Sequence, residues 1–207
     1  MALGSWIVWL LSVPLNGQAV DTTRMLKGIE DRYNRIQTLE LDFTESYAFQ
    51  RRTRKVSGTL SLRKPGKMRW AYSAGQLFIS DGEFVYYYSP EENRAEKTKL
   101  KETADMKAPL AFLLGRLNFR NDFREFRATS QDGGAYITAV PKSDKMPYTE
   151  VSFLALPDFT IRRLVVKGAD NSVLEFEFTG EKKNPPLANT LFRFTAPPGV
   201  EYVDSTR

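Results

Sequence analysis

The feature that most constrains the fold is an alternation of apolar and polar residues with a period of two, which recurs along most of the chain. Successive side chains of a β-strand point to opposite faces of a sheet, so this period predicts strands. The dipeptide Asp81-Gly82 separates two such segments and is typical of a hairpin turn. We predict about ten or eleven antiparallel strands, with segments at 39–43, 56–62, 68–72, 77–79, 84–88, 134–140, 149–155, 160–167, 172–179 and 190–195.

Two segments have the helical period instead. Residues 22–37 follow the capping candidate Asp21, and residues 104–117 contain Pro109 near their start. A long meandering sheet must hide its edges, either by closing into a barrel or by being covered with helices. Two amphipathic helices are enough to cover one open end. Their apolar faces include Leu26, Ile29, Leu110, Leu113 and Leu114.

Two residue types are missing, and their absence limits the chemistry. The sequence has no cysteine and no histidine, which excludes disulfides, thiol nucleophiles, Ser-His pairs and the commonest transition-metal ligand. Glu45 and the pair Glu91-Glu92 are candidates for paired catalytic carboxylates, but no spacing distinguishes them from ordinary surface charge. There is no Gly-rich phosphate loop and no serine elbow. We expect no enzymatic activity, no metal and no cofactor.

The N-terminus is predicted to be a secretory signal peptide, residues 1–19. Residues 2–15 are apolar and uncharged, and Gly17-Gln18-Ala19 supplies small residues for cleavage after Ala19. This segment is shorter than the roughly 20 apolar residues that span a bilayer. A typical signal peptide has a Lys or Arg before its apolar segment, and this sequence has none there. The alternative interpretations of the segment are a buried first strand and a membrane anchor. Residues 20–207 are expected to form a single exported domain.

The net charge is +5, and two basic clusters contribute to it. Basic residues with interleaved aromatic residues can bind single-stranded nucleic acid. A solvated hairpin loop explains the first cluster more simply, and a strand or turn with alternate faces explains the second, so we expect no nucleic-acid partner. The first cluster is Arg51, Arg52, Arg54 and Lys55; the second is Arg120, Arg124 and Arg127, interleaved with Phe119, Phe123 and Phe126.

Aromatic residues are concentrated between Trp70 and Tyr88. They either fill the core of the sheet or line an apolar cavity. On the preceding strand, Leu60 and Leu62 share one face, and Lys64 continues that row into the turn at Pro65-Gly66. Lys64 is therefore either a cation at the rim of the apolar face or a plain charge at a strand end.

Four short motifs occur in order along the chain, and together they resemble one known family. The motifs are the run from Gly58 to Trp70, the hairpin from Ile79 to Gly82 with Tyr86 to Pro90 after it, the segment from Ala108 to Gly115, and the ending from Phe192 to Val200. The sequence resembles the periplasmic outer-membrane lipoprotein carriers of the LolA type over nearly all of residues 20–207.

The resemblance implies a mainly β fold, an incomplete antiparallel β-barrel with an α-helical lid over an apolar cavity. It implies a periplasmic, monomeric carrier that takes acylated lipoproteins from an inner-membrane lipoprotein-releasing ABC transporter to an outer-membrane lipoprotein receptor. The lid is expected to present Leu26, Ile29, Leu110, Leu113 and Leu114. The cavity is expected to be lined by Leu60, Leu62, Met68, Trp70, Tyr72, Phe84, Tyr86 and Tyr88.

The resemblance also implies a gate at Lys64. In the family, the basic residue before the proline of this turn holds the lid by hydrogen bonds, and it is usually arginine. Lysine offers a point charge where a guanidinium offers a planar fork of donors, so the hydrogen bonds of this gate differ from those that arginine forms. The outer-membrane receptor of the same fold is anchored through an N-terminal cysteine, and the lack of cysteine favours the soluble carrier. A lipoprotein sensor on the same fold and a carboxylate-dependent hydrolase are the alternatives.

Overall fold

A computed structural model describes residues 20–100 and 117–206 of the chain. The predicted signal peptide, residues 104–116 of the second predicted helix, and the lid residues Leu110, Leu113 and Leu114 lie outside these described residues. Leu117, the last residue of that predicted helix, is described, and it is buried but not helical.

The described chain is mainly β-strand, with one long helix near its start. Helix α1 is Thr22–Arg35, a one-turn helix α2 is Phe119–Asp122, and a short 3₁₀ helix is Asn189–Phe192. The strands are β1 Thr38–Phe49, β2 Arg52–Arg63, β3 Lys67–Tyr72, β4 Leu77–Asp81, β5 Phe84–Ser89, β6 Arg94–Lys99, β7 Phe123–Gln131, β8 Gly134–Pro141, β9 Tyr148–Ala155, β10 Ile161–Gly168, β11 Val173–Lys183 and β12 Glu201–Asp204.

Within the described ranges, all the strands belong to one 12-stranded sheet in the order β12-β6-β5-β4-β3-β2-β1-β11-β10-β9-β8-β7. The end strands β12 and β7 are not paired with each other, so the sheet is open and not closed into a barrel. Neighbouring strands are antiparallel except β12, which runs parallel to β6. The prediction of a mainly β, incomplete barrel is confirmed, with this one parallel pair as an exception.

Helix α1 is confirmed, and it ends two residues before the predicted boundary. The Asp21 side chain accepts a hydrogen bond from the Arg24 backbone N–H at 3.0 Å, which caps the first turn. Leu26, Ile29 and Tyr33 are buried on one face, as their spacing predicts. This face packs on the sheet and positions the candidate site.

The predicted strand at 190–195 was wrong. Asn189–Phe192 is a 3₁₀ helix, and Pro185, Pro197 and Pro198 flank a segment that cannot donate a full ladder of hydrogen bonds. Strands β6, β7 and β12 were missing from the predicted segments, so the described residues form twelve strands rather than ten or eleven. Strands β6 and β12 are short and rich in charged residues, and they lack the alternation on which the prediction depends. The segment of β7 was interpreted only as a strand or a turn.

The C-terminal segment crosses the outer face of the sheet, which is the face opposite α1. The Arg63 guanidinium donates to the Leu187 carbonyl at 3.0 Å, and Phe192 is almost fully buried. Phe192, Ile79 and Ala95 are buried apart from the main hydrophobic core. The first half of the sheet is therefore apolar on both faces. Among the described residues, no helix has the length and hydrophobicity needed to cross a membrane.

Candidate functional site

The candidate site is the inner face of the sheet, which is the face against which α1 packs. Because paired residues in neighbouring strands share a face, the register places Leu41, Leu60, Trp70 and Phe78 in one row across four strands. All four side chains are buried in the main core. The row forms a continuous apolar surface in the first half of the chain.

Aromatic rings form the centre of this face. Trp70 has no exposed surface, and its ring centroid lies 4.8 Å from that of Phe43 and 5.5 Å from that of Phe176. Phe43 lies opposite Gly58 on β2, where an added Cβ would come within 2.9 Å of the Phe43 ring and 2.2 Å of the Ala71 carbonyl oxygen. A glycine at this position allows the close approach of β1, β2 and β3.

The second half of the chain supplies the rest of the inner face, and the sequence analysis assigned none of its residues to the site. Ile137, Phe153, Leu164 and Phe176 follow one another across β8, β9, β10 and β11 and are nearly or fully buried. The alternation that predicted these strands also marks their apolar side. It does not show that this side joins the first half, because that depends on the pairing of β1 with β11.

Helix α1 covers the inner face. Ile29 has no exposed surface, and Leu26 and Tyr33 belong to the same buried core. The predicted lid residues of the first helix therefore face the sheet. Asn34 extends the cover, because its side chain accepts from the Leu117 N–H at 2.7 Å and donates to the Leu117 carbonyl at 2.9 Å. Helix α1 is thereby joined to the segment that precedes β7.

A polar cluster holds the last turn of α1 against the far half of the sheet. The Tyr33 hydroxyl donates to Glu181 Oε2 at 2.9 Å and accepts from the Ile161 backbone N–H at 3.0 Å. Arg32 forms an ion pair with the same carboxylate. Burial and the neighbouring Glu181 charge raise the pKa of Tyr33 well above its ordinary value, so the hydroxyl remains a donor at neutral pH. Sequence reasoning missed this cluster because its members lie far apart in the chain.

Lys64 contacts the C-terminal end of α1. Its Nζ donates to the Tyr33 carbonyl at 2.7 Å, and its backbone N–H donates to the Gln37 carbonyl at 2.9 Å. A cation at this end of a helix satisfies a free carbonyl and interacts favourably with the helix dipole. Partial burial lowers the pKa of Lys64. Of the two interpretations of this residue, the structure supports a cation at the rim of the apolar face.

The structure separates the predicted cavity residues into two groups. Leu60, Leu62, Met68 and Trp70 are buried on the inner face. Tyr72 is partly buried at its edge, 5.2 Å from Phe43 between ring centroids, and donates from its hydroxyl to Glu45 at 2.8 Å. These five residues lie on the inner face or at its edge.

The placement of Phe84, Tyr86 and Tyr88 on the inner face was wrong. Val85 pairs with Ser80 and belongs to the main core, so the residues that alternate with Val85 point outward. Tyr86 and Tyr88 pack against Phe194 of the C-terminal segment, with ring centroids 5.6 and 6.0 Å apart. This apolar cover explains why Tyr86 and Tyr88 occur on the outer face, where the Phe84 ring contacts Lys97 Nζ at 3.9 Å.

The arrangement favours apolar binding rather than catalysis. The centre of the inner face consists of hydrocarbon and aromatic side chains, and the charged groups Lys64 and Glu45 lie at its edge. Within residues 20–100 and 117–206, no group of three or more acidic side chains is placed to hold a metal ion. Such a surface can bind a long apolar chain and leave a polar group outside.

Comparisons with known proteins agree with this fold. The family model described as outer membrane lipoprotein carrier protein LolA matches residues 34–195. The outer-membrane lipoprotein carrier protein of Nitrosomonas europaea is 27% identical over 201 residues, which cover 95% of this chain and 94% of that protein. The protein of the same name from Cupriavidus necator is 29% identical over 147 residues, covering 70% of this chain and 69% of that protein.

A solved structure supports the fold alone. An uncharacterized conserved protein from Thermus thermophilus superimposes with a TM-score of 0.55 at 11% identity, over 89% of this chain and 99% of that chain. At this identity the likeness concerns the path of the backbone and says nothing about a ligand.

Proposed function

Because the chain belongs to the LolA family of outer membrane lipoprotein carrier proteins, we propose that it carries lipoproteins by holding their acyl chains against the inner face of its sheet. The observation that carries this proposal is the continuous apolar face beneath α1. Leu60, Trp70, Leu164 and Phe176 lie on this face and come from both halves of the chain.

The energetics of acyl chains support a shielded surface. Each methylene removed from water contributes about 0.8 kcal/mol, so a chain of about 16 carbons carries a hydrophobic free energy on the order of 12 kcal/mol. Such a cargo does not cross an aqueous compartment unprotected. Cargo held with all of this free energy would not be released, so the cover over the face must be only marginally stable when closed.

The direction of transport and the partners are part of the same proposal. The carrier acts in the periplasm as a monomer after loss of residues 1–19, with residues 20–207 as a single domain. It receives lipoproteins from an inner-membrane lipoprotein-releasing ABC transporter and delivers them to an outer-membrane lipoprotein receptor. It binds its cargo without catalysis.

Trp70 allows a direct test of the acyl-binding face. The other tryptophans of the chain, Trp6 and Trp9, lie in the proposed signal peptide, so a protein that consists of residues 20–207 has Trp70 as its single tryptophan. A synthetic lipopeptide with brominated acyl chains is expected to quench Trp70 fluorescence, because bromine must then lie near the centre of the inner face.

Two controls define the result. The same peptide without acyl chains should leave the fluorescence unchanged, and an unbrominated lipopeptide should compete with the brominated one. Native mass spectrometry shows independently whether the lipopeptide is bound. A bound lipopeptide that does not quench Trp70 would place the acyl chains elsewhere and contradict the proposed site.

We also propose that Lys64 is the gate that holds the cover closed. Its ammonium group bonds to the Tyr33 carbonyl at the end of α1, so opening the cover at this end breaks a charge-assisted hydrogen bond. Leu26 and Ile29 form the described part of the lid. We assign Leu110, Leu113 and Leu114 to the same lid from the sequence.

Lys64→Met is expected to speed the release of the brominated lipopeptide by roughly fivefold, since a partly exposed charged hydrogen bond contributes about 1 kcal/mol. Lys64→Arg should restore slow release. Lys67→Met is the matched control, because Lys67 is a nearby lysine whose Nζ contacts Asn189, 3.3 Å away. Equal release rates for Lys64→Met and the parent protein, measured by stopped-flow fluorescence, would remove Lys64 from the gate.

A further inference from the structure

The hairpin formed by β1 and β2 extends beyond β3 on one side and, past Ala48, beyond β11 on the other. The two strands are paired from Thr38 and Arg63 to Phe49 and Arg52. Strand β3 pairs with β2 only from Gly58 onward. We call residues 46–57 the hairpin arm. Within the described residues, the part of β2 that lies in this arm has no partner strand on its β3 side.

The hairpin arm has an unbalanced positive charge. It contains four cations, Arg51, Arg52, Arg54 and Lys55, and no aspartate or glutamate. Residues 50–55 are all exposed. None of the four cations forms an ion pair with a residue in the described parts of the chain, and Arg54 donates only to the uncharged Gln76 side chain, at 3.3 Å.

Two aromatic side chains share one face of the arm with Arg52 and Arg54. Tyr47 lies opposite Arg54 and is 41% exposed, and the partly buried Phe49 lies opposite Arg52. Tyr47 shares its face with Phe43, since the two residues are four apart on β1. The aromatic and basic face of the arm thus continues the inner apolar face of the sheet.

We propose that the hairpin arm docks on the anionic phospholipid headgroups of a membrane. Guanidinium groups form paired hydrogen bonds with phosphate oxygens, and tyrosine is favoured at the level of the headgroups. Each Lys or Arg near an anionic bilayer contributes an independent attraction. Binding to an acidic protein partner is the other outcome that the experiment below distinguishes.

This docking goes beyond the proposed carrier function and can fail independently of it. The arm would bring the end of the inner face close to a bilayer, where acyl chains enter or leave. The test uses vesicles that contain no lipoprotein, so its outcome does not depend on whether acyl cargo binds the inner face.

The experiment measures co-sedimentation with vesicles of phosphatidylethanolamine and phosphatidylglycerol. It compares the full chain with two variants that each carry four substitutions. Loss of the four arm cations should weaken binding on the order of 1,000-fold, since each contributes about 1 kcal/mol. A control that removes four other exposed cations changes the net charge equally and should stay within about twofold of the parent chain. The arm variant is R51Q/R52Q/R54Q/K55Q, and the control is R127Q/K145Q/R162Q/R193Q.

Three results would overturn the proposal. The arm variant could bind like the parent chain, both variants could weaken equally, or the parent chain could bind polyglutamate and ignore the vesicles. Thermal unfolding of both variants shows whether they are folded, which the exposure of residues 50–55 leads us to expect. Raising the salt from about 0.1 M to about 0.5 M should release the parent chain, since the attraction is screened.

Discussion

Ile29→Asp is expected to weaken the binding of acylated lipopeptide by more than about tenfold, since it places a carboxylate where α1 meets the inner face. Ile29 has no exposed surface and belongs to the main core. An unpaired charge in such a position costs several kcal/mol, so α1 would leave the sheet and expose the face to water. Quenching of Trp70 by the brominated lipopeptide measures the loss.

Thr23→Asp is the matched control for this change. Thr23 is exposed in the first turn of the same helix, where a negative charge interacts favourably with the helix dipole. Ile29→Ala provides a milder variant that shortens the side chain without adding charge, and it should give an intermediate loss of binding. Full binding by a folded Ile29→Asp protein would show that α1 is no part of the cover over the cargo.

Trp70→Ala is expected to lower the free energy of unfolding by about 3–5 kcal/mol, the range for removal of a large buried aromatic side chain. Trp70 contacts Phe43 and Phe176, so its ring joins strands from the two halves of the chain. Denaturant unfolding followed by circular dichroism measures the change.

Two further variants separate the loss of packing from the loss of an aromatic ring in general. Trp70→Phe keeps a ring at the centre of the inner face and should cost clearly less than Trp70→Ala. Tyr202→Ala removes a ring that is 44% exposed on β12, and it should change stability by no more than about 0.5 kcal/mol. A Trp70→Ala protein as stable as Tyr202→Ala would mean that Trp70 does not lie at the centre of the packed face.

Much of the fold could be predicted from local patterns. The spacing of Leu26, Ile29 and Tyr33 predicted α1 and the face it buries. Alternation predicted most of the strands, and Leu60, Leu62, Met68 and Trp70 were placed on the correct face. These predictions succeeded because a strand or helix with one buried side shows that side directly in its sequence.

Strand β5 shows where this reasoning fails. Its sequence from Phe84 to Tyr88 is apolar on both sides, so alternation does not indicate which side is inner. The inner side is that of Val85, and the aromatic side packs against Phe194. Only the crossing of the outer face by the C-terminal segment decides this, and no local pattern in β5 reports it.

The sequence by itself determined a mainly β chain with an amphipathic helix at its start, an apolar row ending at Lys64, and family membership. Short-range periodicity and ordered motifs are enough for these properties. The tertiary structure alone decided that β1 pairs with β11, which joins two apolar half-sheets into one face, and that Tyr33 meets Glu181 and Lys64. Such contacts join residues far apart in the chain, and their partners are chosen by the packing of the whole sheet rather than by local preference.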